Sequence, residues 1–255
     1  MAAQGVAALS KADQAVISHA ANRAQDSQPV VQALGAIPLL AQLTERVLQR
    51  LAAHTTIVAV AEDVELYRQG EPANELYMVI EGQLAGFTVA PNGTTAVIEV
   101  MRAGETLGLA TVLARLPRLM GARTVTSCRL LCIQSEGLLT LIEQEPSLTA
   151  ALLHAEAIEF RALVRQVCDL KLRTTAQRLG CYLLSLSSTA TGNTTALRLP
   201  FDKRLLAARL GCRQENLSRA FAALRSFGVE THGARVILHD IASLRAYSEP
   251  DETEA

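Results

Sequence analysis

Three residues with side chains able to recognise DNA bases lie close together in the stretch GCRQENLSRAFAALRSFG, residues 211–228. At about 100° per residue, Glu215, Ser218 and Arg219 share one side of a helix whose opposite side is apolar. A carboxylate can accept from cytosine N4, a guanidinium can donate to guanine O6 and N7, and a hydroxyl can serve several bases. Glu215 and Arg219 also fit an ordinary i,i+4 ion pair on a solvated face, contributing about 0.2–0.5 kcal/mol. The rest of the chain must decide between these interpretations.

The basic residues of the chain are concentrated in its C-terminal third. Residues 171–248 hold 12 Lys and Arg against 4 Asp and Glu, a balance of +8. Residues 1–170 hold 12 against 17, a balance of −5, and residues 249–255 add 4 acidic side chains. A basic module on a mildly acidic body favours a polyanionic partner for that module alone.

The composition excludes several classes of protein. No run among the 255 residues approaches the roughly 18 apolar residues of a membrane span, and the N-terminus lacks the pattern of an export signal. The five cysteines are scattered and odd in number, which fits a reducing compartment. We therefore expect a cytoplasmic protein with no membrane partner. The motifs of common enzyme sites are missing, so an enzyme is not expected.

The pattern of apolar residues divides the chain into successive segments. Short helices are predicted for residues 30–53, and residues 56–133 form short β-type runs broken by turns such as Asn92-Gly93. Such closely spaced strands predict a small antiparallel barrel or roll. The predicted divisions are an N-terminal extension (1–28), a sensory roll domain (29–145), a dimerisation helix and hinge (146–172), a DNA-binding domain (173–248) and an acidic tail (249–255).

A heptad pattern follows the roll. A helix starting at Pro146 and running to about Leu170 carries apolar residues with alternating spacings of three and four, beginning at Ala150. This seam, called the helix seam below, consists of Leu153, Ala157, Phe160, Val164 and Val167. Either it lies on its own domain or it pairs with a second copy of the chain; we favour pairing.

The last domain has the pattern of a winged helix-turn-helix. Thr174 or Thr175 is the predicted cap of its first helix, and residues 188–196 are predicted to be a turn or loop. A second helix capped by Asp202 ends at Gly211, and the helix of Glu215 follows closely. A hairpin turning at residues 232–233 completes the motif.

Two segments of the chain resemble the CRP/FNR family of bacterial transcription regulators. YRQGEPANELYMVIEGQL, residues 67–84, is similar to the β-roll signature of that family, and LPFDKRLLAARLGCRQENLSRAFAALRSFGV, residues 199–229, is similar to its helix-turn-helix. The resemblance covers roughly residues 30–248. It implies an α+β fold: an antiparallel β-roll of the cyclic-nucleotide-binding type, a long dimerisation helix and a winged helix-turn-helix.

The resemblance also implies a mode of DNA binding. A homodimer would place two recognition helices about 34 Å apart on an inverted repeat of double-stranded DNA, with RNA polymerase as a further partner. Glu215, Ser218 and Arg219 fall on the base-reading positions, and their arrangement looks like the FNR type, which reads TTGAT half-sites. The secondary or phosphate-contacting residues would be Gln214, Arg213, Lys203, Arg204 and Arg209.

The effector is less clearly indicated. Relatives that bind cyclic AMP carry a Gly-Glu pair followed by Pro-Arg and small residues. Here Gly108, Pro117 and Arg118 match, but Leu109 replaces the Glu, and Leu119 and Met120 replace the small residues. Loss of these polar partners argues against cyclic AMP, although a cyclic-nucleotide-activated regulator stays the alternative. Without those partners Arg118 is expected to be a surface charge. The candidate effector-pocket residues, called the cassette below, are Gly108, Leu109, Arg118, Leu119 and Met120.

Metal-containing effectors are the remaining possibility. The cluster-binding members of the family use N-terminal cysteines, and no cysteine precedes Cys128, so an iron–sulfur cluster is not expected. A haem that senses nitric oxide, as in Dnr-type relatives, is compatible with the apolar cassette; its candidate ligands are His19, His54 and His154. Cys212, at a helix N-terminus, fits a reactive thiol or a small packing residue, and Cys128, Cys132, Cys168 and Cys181 are expected to be packing residues.

Overall fold

The computed structural model describes residues 27–89, 95–187, 192–199 and 203–248. The predicted turn at Asn92-Gly93, the cap Asp202, the haem-ligand candidate His19 and the acidic tail lie outside these residues. The chain forms two compact units: residues up to Thr88 with Val100–Ile158, and Val89–Glu99 with the residues from Glu159 onward.

The first unit is an antiparallel roll with flanking helices. Its strands form two four-stranded sheets, ordered β1-β8-β3-β6 and β2-β7-β4-β5. This confirms the antiparallel roll that the closely spaced short β-type runs predicted. The strands are β1 (Thr55–Val60), β2 (Glu65–Tyr67), β3 (Glu75–Glu81), β4 (Gln83–Val89), β5 (Thr95–Arg102), β6 (Thr106–Leu107), β7 (Gly121–Thr124) and β8 (Cys128–Gln134). The last residue of β4 and the first part of β5, up to Glu99, are grouped with the second unit. The helices are α1 (Ser27–Ala36), α2 (Glu45–Ala52), α3 (Leu109–Leu113) and α4 (Ser135–Gln144), with a 3-10 turn at Pro38–Leu40.

Two apolar clusters fill this unit. One lies inside the roll and includes Val79, Leu84 and Leu130, all fully buried. The other, called the helix-side cluster below, joins the flanking helices to the sheet of β1, β3 and β8, and it contains Leu109 of α3. Helix α3 was not predicted from the sequence, because five residues are too few to show helical periodicity.

An acidic residue connects α2 to the end of α4. The side chain of Glu145 is only 4% exposed and accepts from Arg46 Nη2 at 2.7 Å and from Arg50 Nη1. The hydrogen bond from Arg46, followed by that from Arg50, lowers the pKa of this carboxyl below its usual value. Glu145 thus fixes the start of the next helix against the roll.

The long helix α5 spans Pro146–Leu172 and begins at the predicted proline. Leu148 and Leu152 pack into the helix-side cluster of the first unit. Beyond Leu152, α5 exposes many large apolar side chains to solvent. These are Leu153, Ile158, Phe160, Leu163, Val164, Val167, Leu170 and Leu172.

The second unit is a winged helix-turn-helix. Its elements after α5 are α6 (Thr175–Leu186), β9 (Thr195–Arg198), α7 (Lys203–Arg209), α8 (Gln214–Leu224), a 3-10 turn (Arg225–Phe227), β10 (Val229–His232), β11 (Arg235–Leu238) and α9 (Ile241–Ser248). Thr174 caps α6 through a reciprocal capping box with Gln177. This bears out the predicted cap.

The wing differs from the predicted hairpin in two respects. Thr195 and Ala196 were assigned to a loop, but they lie in β9, which pairs with β11 and makes the wing a three-stranded sheet ordered β10-β11-β9. The turn falls at Gly233 and Ala234, one residue later than expected. A strand of four residues shows little alternation of its own, so its partner about forty residues later decides its conformation.

Candidate DNA-binding interface and effector pocket

The recognition helix α8 has one buried face and one exposed face. Leu217, Ala220, Phe221 and Leu224 are its buried residues, and they belong to the core of the second unit. Glu215, Ser218 and Arg219 are all exposed, as the helical periodicity required. The core contacts of one face therefore fix the orientation of the three polar side chains on the other.

The exposed acid and guanidinium of α8 do not pair with each other. Within the described residues no ion pair closer than 4 Å includes either Glu215 or Arg219, and neither side chain has a hydrogen bond there. An i,i+4 ion pair is thus not what these two residues form in this structure. Both side chains keep their full hydrogen-bonding capacity for a ligand.

The turn before α8 is held by tight packing and by an arginine. Gly211 has φ +63°, and a Cβ on it would lie 2.7 Å from Leu170 Cδ2. A side chain at this position would therefore be both strained and crowded. Arg178 of α6 donates through Nε to Leu210 O at 3.0 Å and through Nη1 to Arg173 O at 2.7 Å. No motif or spacing in the sequence pointed to this role of Arg178.

The predicted phosphate-contacting residues have different environments. Lys203, Arg204, Arg213 and Gln214 are exposed near the helix-turn-helix. Arg209 is only partly exposed, and its guanidinium carbon lies 5.8 Å from the centroid of the Tyr182 ring. Arg209 is thus engaged with its own module through a cation–π contact.

The helix seam is exposed along α5. Leu153 and Phe160 are 69% and 67% exposed, and Val164 and Val167 are about half exposed; Ala157 is exposed as well. These residues repeat every seven positions in two columns on one side of the helix. Contiguous apolar surface of this kind marks an interaction site.

Arg118 lies inside the first unit, not on its surface as the sequence suggested. The residue is only 4% exposed. Its guanidinium carbon lies 4.1 Å from the centroid of the Tyr67 ring, and Nη2 donates to the backbone oxygen of Glu75. Its Nε and Nη1 have no hydrogen-bond partner among the described residues. The expectation of a surface charge was wrong because strands distant in sequence enclose the side chain.

The glycine of the cassette is matched to this arginine. Gly108 has φ +83°, and a Cβ on it would lie 2.3 Å from Arg118 Nη1. A side chain at residue 108 would therefore occupy the place of the guanidinium. The backbone of Arg118 is fixed as well, since its N–H donates to Glu71 O and its carbonyl accepts from the Gly70 N–H, both at 2.8 Å.

Polar groups on β3 and β8 lie beside the guanidinium. Tyr77 is buried, stacks near Tyr67 with ring centroids 5.7 Å apart, and donates to the carboxylate of Glu75. Cys132 pairs with Tyr77 across the strands. Burial, and then the charge of Glu75, raises the pKa of the Cys132 thiol to about 12, so it stays protonated near neutrality. The sequence predicted Cys132 to be a packing residue, but it did not indicate that Cys132 and Tyr77 lie near Arg118.

The other cassette residues do not join this group. Leu109 is 2% exposed and packs in the helix-side cluster. Leu119 is 69% exposed and faces solvent, and Met120 is partly exposed. Of the five predicted pocket residues, the structure brings together Gly108 and Arg118.

The two described histidine candidates lie elsewhere. The ring of His54 lies against Gly137 at the start of α4, where a Cβ would be 2.3 Å from the ring, and His154 is exposed on α5. Neither is among the residues around Arg118, so the described residues do not supply a haem-ligating imidazole there. Within the described ranges no group of three or more His, Cys, Asp or Glu is arranged to hold a metal ion.

The cysteines follow the packing interpretation with one exception. Cys128 and Cys132 are buried, whereas Cys168 is exposed on α5, contrary to expectation. Cys212 is partly buried, and this burial raises the pKa of its thiol, opposed by the charge of Arg178. The arrangement does not favour a thiolate at Cys212.

A sensory roll followed by a winged helix-turn-helix defines a class of DNA-binding transcription regulators, and comparisons with known proteins support it. The profile of the cyclic nucleotide-binding domain matches residues 57–145, and that of the Crp-like helix-turn-helix domain matches residues 177–247. Within the described residues, no helix combines the length and hydrophobicity needed to cross a bilayer.

Individual relatives share this organisation. A CRP-like cAMP-activated global transcriptional regulator of Mycobacterium tuberculosis is 25% identical over 69% of this chain and 80% of its own. The nitrogen fixation regulation protein FixK of Azorhizobium caulinodans is 25% identical over 77% and 81%. A solved structure of a candidate cyclic nucleotide binding protein from Ruegeria pomeroyi is 30% identical, covers 89% of this chain and 100% of its own, and superposes with a TM-score of 0.58. The chain belongs to the CRP/FNR family of transcription regulators.

Proposed function

We propose that this regulator is a homodimer that reads an inverted TTGAT–ATCAA site through Glu215, Ser218 and Arg219. The proposal rests on the exposed, unpaired Glu215 and Arg219 of a helix whose other face is core. The division of roles follows the predicted segments: residues 29–145 sense, 146–172 dimerise and 173–248 bind DNA. RNA polymerase would then be contacted by the DNA-bound dimer.

The base-reading role is tested by changing one guanidinium. Arg219→Ala should cost about 1–3 kcal/mol of binding free energy and relax the preference at a single guanine. Binding is measured by gel shift on the palindrome and on a set of single-base variants of it. Arg225→Ala, in the 3-10 turn that follows α8, is the matched control and should keep the preference. If Arg219→Ala kept the wild-type ranking of the variants, Arg219 would not read a base.

Dimerisation is proposed to use the helix seam. Large apolar side chains on α5 are exposed in the single chain, and pairing two parallel copies would bury both columns of the heptad. Phe160→Glu places a charge in each half of this interface, and we expect a monomer by sedimentation that binds the palindrome far more weakly. Glu156→Gln, one turn away and outside the seam, is the control. A dimeric Phe160→Glu protein would refute this interface.

The effector is proposed to be an anion held by Arg118. Burial of a guanidinium with two unpartnered nitrogens costs free energy unless these nitrogens donate to an acceptor. A phosphate or carboxylate group would supply the charged acceptor that Nε or Nη1 lacks. The Tyr67 and Tyr77 rings and the Glu75 carboxylate then offer an aromatic wall and a hydrogen-bond acceptor to the rest of the ligand.

A cyclic nucleotide is the second candidate. Arg118 and Gly108 support it, because both lie as a phosphate site requires. Leu109 opposes it, since this residue is committed to the apolar cluster and leaves no carboxylate on α3 for a ribose hydroxyl. The described residues do not fit haem, and we derive no step through it.

The effector proposal is tested by thermal shift and calorimetry with named ligands. Cyclic AMP or inorganic phosphate is added at about 1 mM to the wild-type protein and to Arg118→Met. A ligand present at 100 times its Kd stabilises the protein by about 2.7 kcal/mol. We expect a shift with an anion for wild type only. Equal shifts for both proteins would place the anion elsewhere.

The two sites would communicate through α5. Effector binding would shift the population between two dimer states that differ in the spacing of the recognition helices. Whether transcription rises or falls then depends on which state the anion favours.

A further inference from the structure

A charged residue continues the apolar repeat of α5. The helix seam advances by spacings of three and four residues as far as Val164 and Val167, and the next position of the same repeat is Lys171. Lys171 is exposed, and α5 ends one residue later, at Leu172. A lysine is favourable in the last turn of a single helix, because its charge offsets the dipole at the helix end. In a pair of helices the same residue falls among the side chains of the interface.

The charge of Lys171 is not neutralised by a carboxylate of its own helix. Among the described residues, no ion pair within 4 Å includes Lys171. The nearest acidic residue in the sequence, Asp169, pairs with Arg173 Nη1 at 3.1 Å. A second copy of the chain would bring an identical lysine to the same level, since equivalent core positions of a parallel helix pair pack against each other. The two charges repel, and burying them without a partner would cost free energy.

The last turn of α5 contacts the turn that leads into the recognition helix. Leu170 Cδ2 lies so close to Gly211 that a Cβ on the glycine would be 2.7 Å away from it. Arg178 donates through Nη1 to Arg173 O at 2.7 Å and through Nε to Leu210 O at 3.0 Å. One guanidinium thus joins the residue that follows α5 to the turn before α8. A displacement of the end of α5 is therefore passed to the start of the recognition helix.

We infer that Lys171 is a charged core position of the paired α5 helices, which ends their pairing at Val167 and leaves the last turn free to open and close. This inference rests on the proposed homodimer, and it names the residue that lets the two recognition helices change their spacing. Long lysine side chains keep their ammonium groups in water by turning away from an apolar interface. The two backbones therefore separate at residue 171, and the contacts of Leu170 and Arg178 move each recognition helix with them.

The test exchanges the charge at this position in the full-length protein. Wild type is mixed with Lys171→Glu that carries a different affinity tag, and the dimers are separated by tag after subunit exchange. Random assortment gives about half mixed dimers, whereas opposed Lys and Glu side chains should raise the mixed fraction to roughly three quarters. The excess should vanish near 1 M salt, where the Debye length is about 3 Å.

Two further variants separate the position from the charge. Arg165→Glu makes the same change of charge on an exposed residue of α5 outside the seam, and its mixture with wild type should assort at random. Lys171→Leu removes the repulsion and continues the apolar repeat. Its dimer Kd, measured by sedimentation, should fall about tenfold or more, because each chain then buries a leucine side chain. Thermal melting checks folding; if Lys171→Glu fails to fold, the dimer Kd of Lys171→Leu decides.

A second measurement follows the recognition helices. Gel shift compares the TTGAT palindrome with versions whose half-sites lie one base pair closer together or farther apart, at protein concentrations above the dimer Kd. Wild type can open and close the last turn of α5, so it should tolerate the altered sites. Lys171→Leu keeps that turn closed and should discriminate between the spacings several-fold more strongly. Equal discrimination by the two proteins would overturn the link between residue 171 and the recognition helices.

The outcomes distinguish this inference from the proposed function. A wild-type protein that sediments as a monomer refutes the homodimer itself. A dimeric wild type that assorts at random with folded Lys171→Glu shows that the two lysines do not meet, and the proposed homodimer stands. An unchanged dimer Kd in Lys171→Leu leads to the same conclusion, because a leucine at a core position would have strengthened the pair.

Discussion

The buried arginine of the roll leads to a prediction about stability that runs against the usual effect of core substitutions. Arg118 is 4% exposed, two of its nitrogens have no partner among the described residues, and no carboxylate there forms an ion pair with it. Leaving a buried donor unsatisfied costs about 1–3 kcal/mol, and an uncompensated buried charge costs several more. We therefore expect Arg118→Met to be more stable than wild type without ligand.

The favourable contacts of Arg118 set the size of the effect. Methionine loses the cation–π contact with Tyr67, at 4.1 Å, and the hydrogen bond to Glu75 O. These contribute about 0.5–2 and 1.5–3 kcal/mol. Two unsatisfied donors and an unpaired charge outweigh them, which leaves a net gain of about 1–3 kcal/mol. At roughly 3–6 °C per kcal/mol for a unit of this length, a gain of that size raises Tm by about 3–18 °C.

The measurement is thermal unfolding in a buffer free of phosphate and organic anions. Arg115→Met, on an exposed arginine, should change the unfolding free energy by less than about 0.5 kcal/mol. Added ligand should narrow or reverse the difference between wild type and Arg118→Met, since wild type alone gains a partner. If Arg118→Met melts below wild type, the guanidinium is a stabilising core group and the argument for an anion site fails.

Three further predictions concern the other elements. Val164→Cys should give a disulfide-linked dimer on non-reducing gels, whereas the wild-type protein, whose Cys168 lies beside the seam, should not. A linked dimer in wild type, with no further linkage in Val164→Cys, would exclude the proposed pairing of the two helices. Gly180→Ala should lower the unfolding free energy by about 1–3 kcal/mol in denaturant titration, because its Cβ would lie 1.9 Å from Ser248 Oγ, and Ser248→Gly should restore most of the loss. The pKa of Glu145 is lowered in the folded protein, so its stabilisation is present above about pH 4.3 and disappears as the pH falls through the folded pKa. Tm measured against pH should thus differ between wild type and Glu145→Gln at pH 7 and converge in acid; a difference that persisted at low pH would contradict this role.

The recognition helix and the capping of α6 could be predicted from the sequence because both depend on neighbouring residues. Helical periodicity alone places Glu215 and Arg219 opposite Leu217, and the structure keeps that division. Thr174 and Gln177 lie three residues apart, so their capping box is visible in the sequence. The exposed helix seam of α5 follows in the same way from spacings of three and four.

The environment of Arg118 could not be read in this manner. Its surroundings come from β2, β3 and the turn before β3. Tyr67 and Glu75, which contact its guanidinium, precede it in the chain by more than forty residues. Comparison with the motif of the cyclic-AMP-binding relatives shows only that their Glu and their small residues beside the arginine are replaced here by apolar residues. That absence suggested a surface charge, whereas the packing of the roll buried the residue.

The sequence by itself determined the order of the segments, the two faces of the recognition helix and the helix seam, because each is set by interactions within a few residues. Only the tertiary structure decided that Arg118 lies beside the rings of Tyr67 and Tyr77, and that Arg198 of β9 lies opposite Arg235 of β11. Both depend on strand register, in which a shift of one residue would turn a side chain to the other face of its sheet. Register is fixed by the packing of whole strands, and no local pattern around these arginines contains that information.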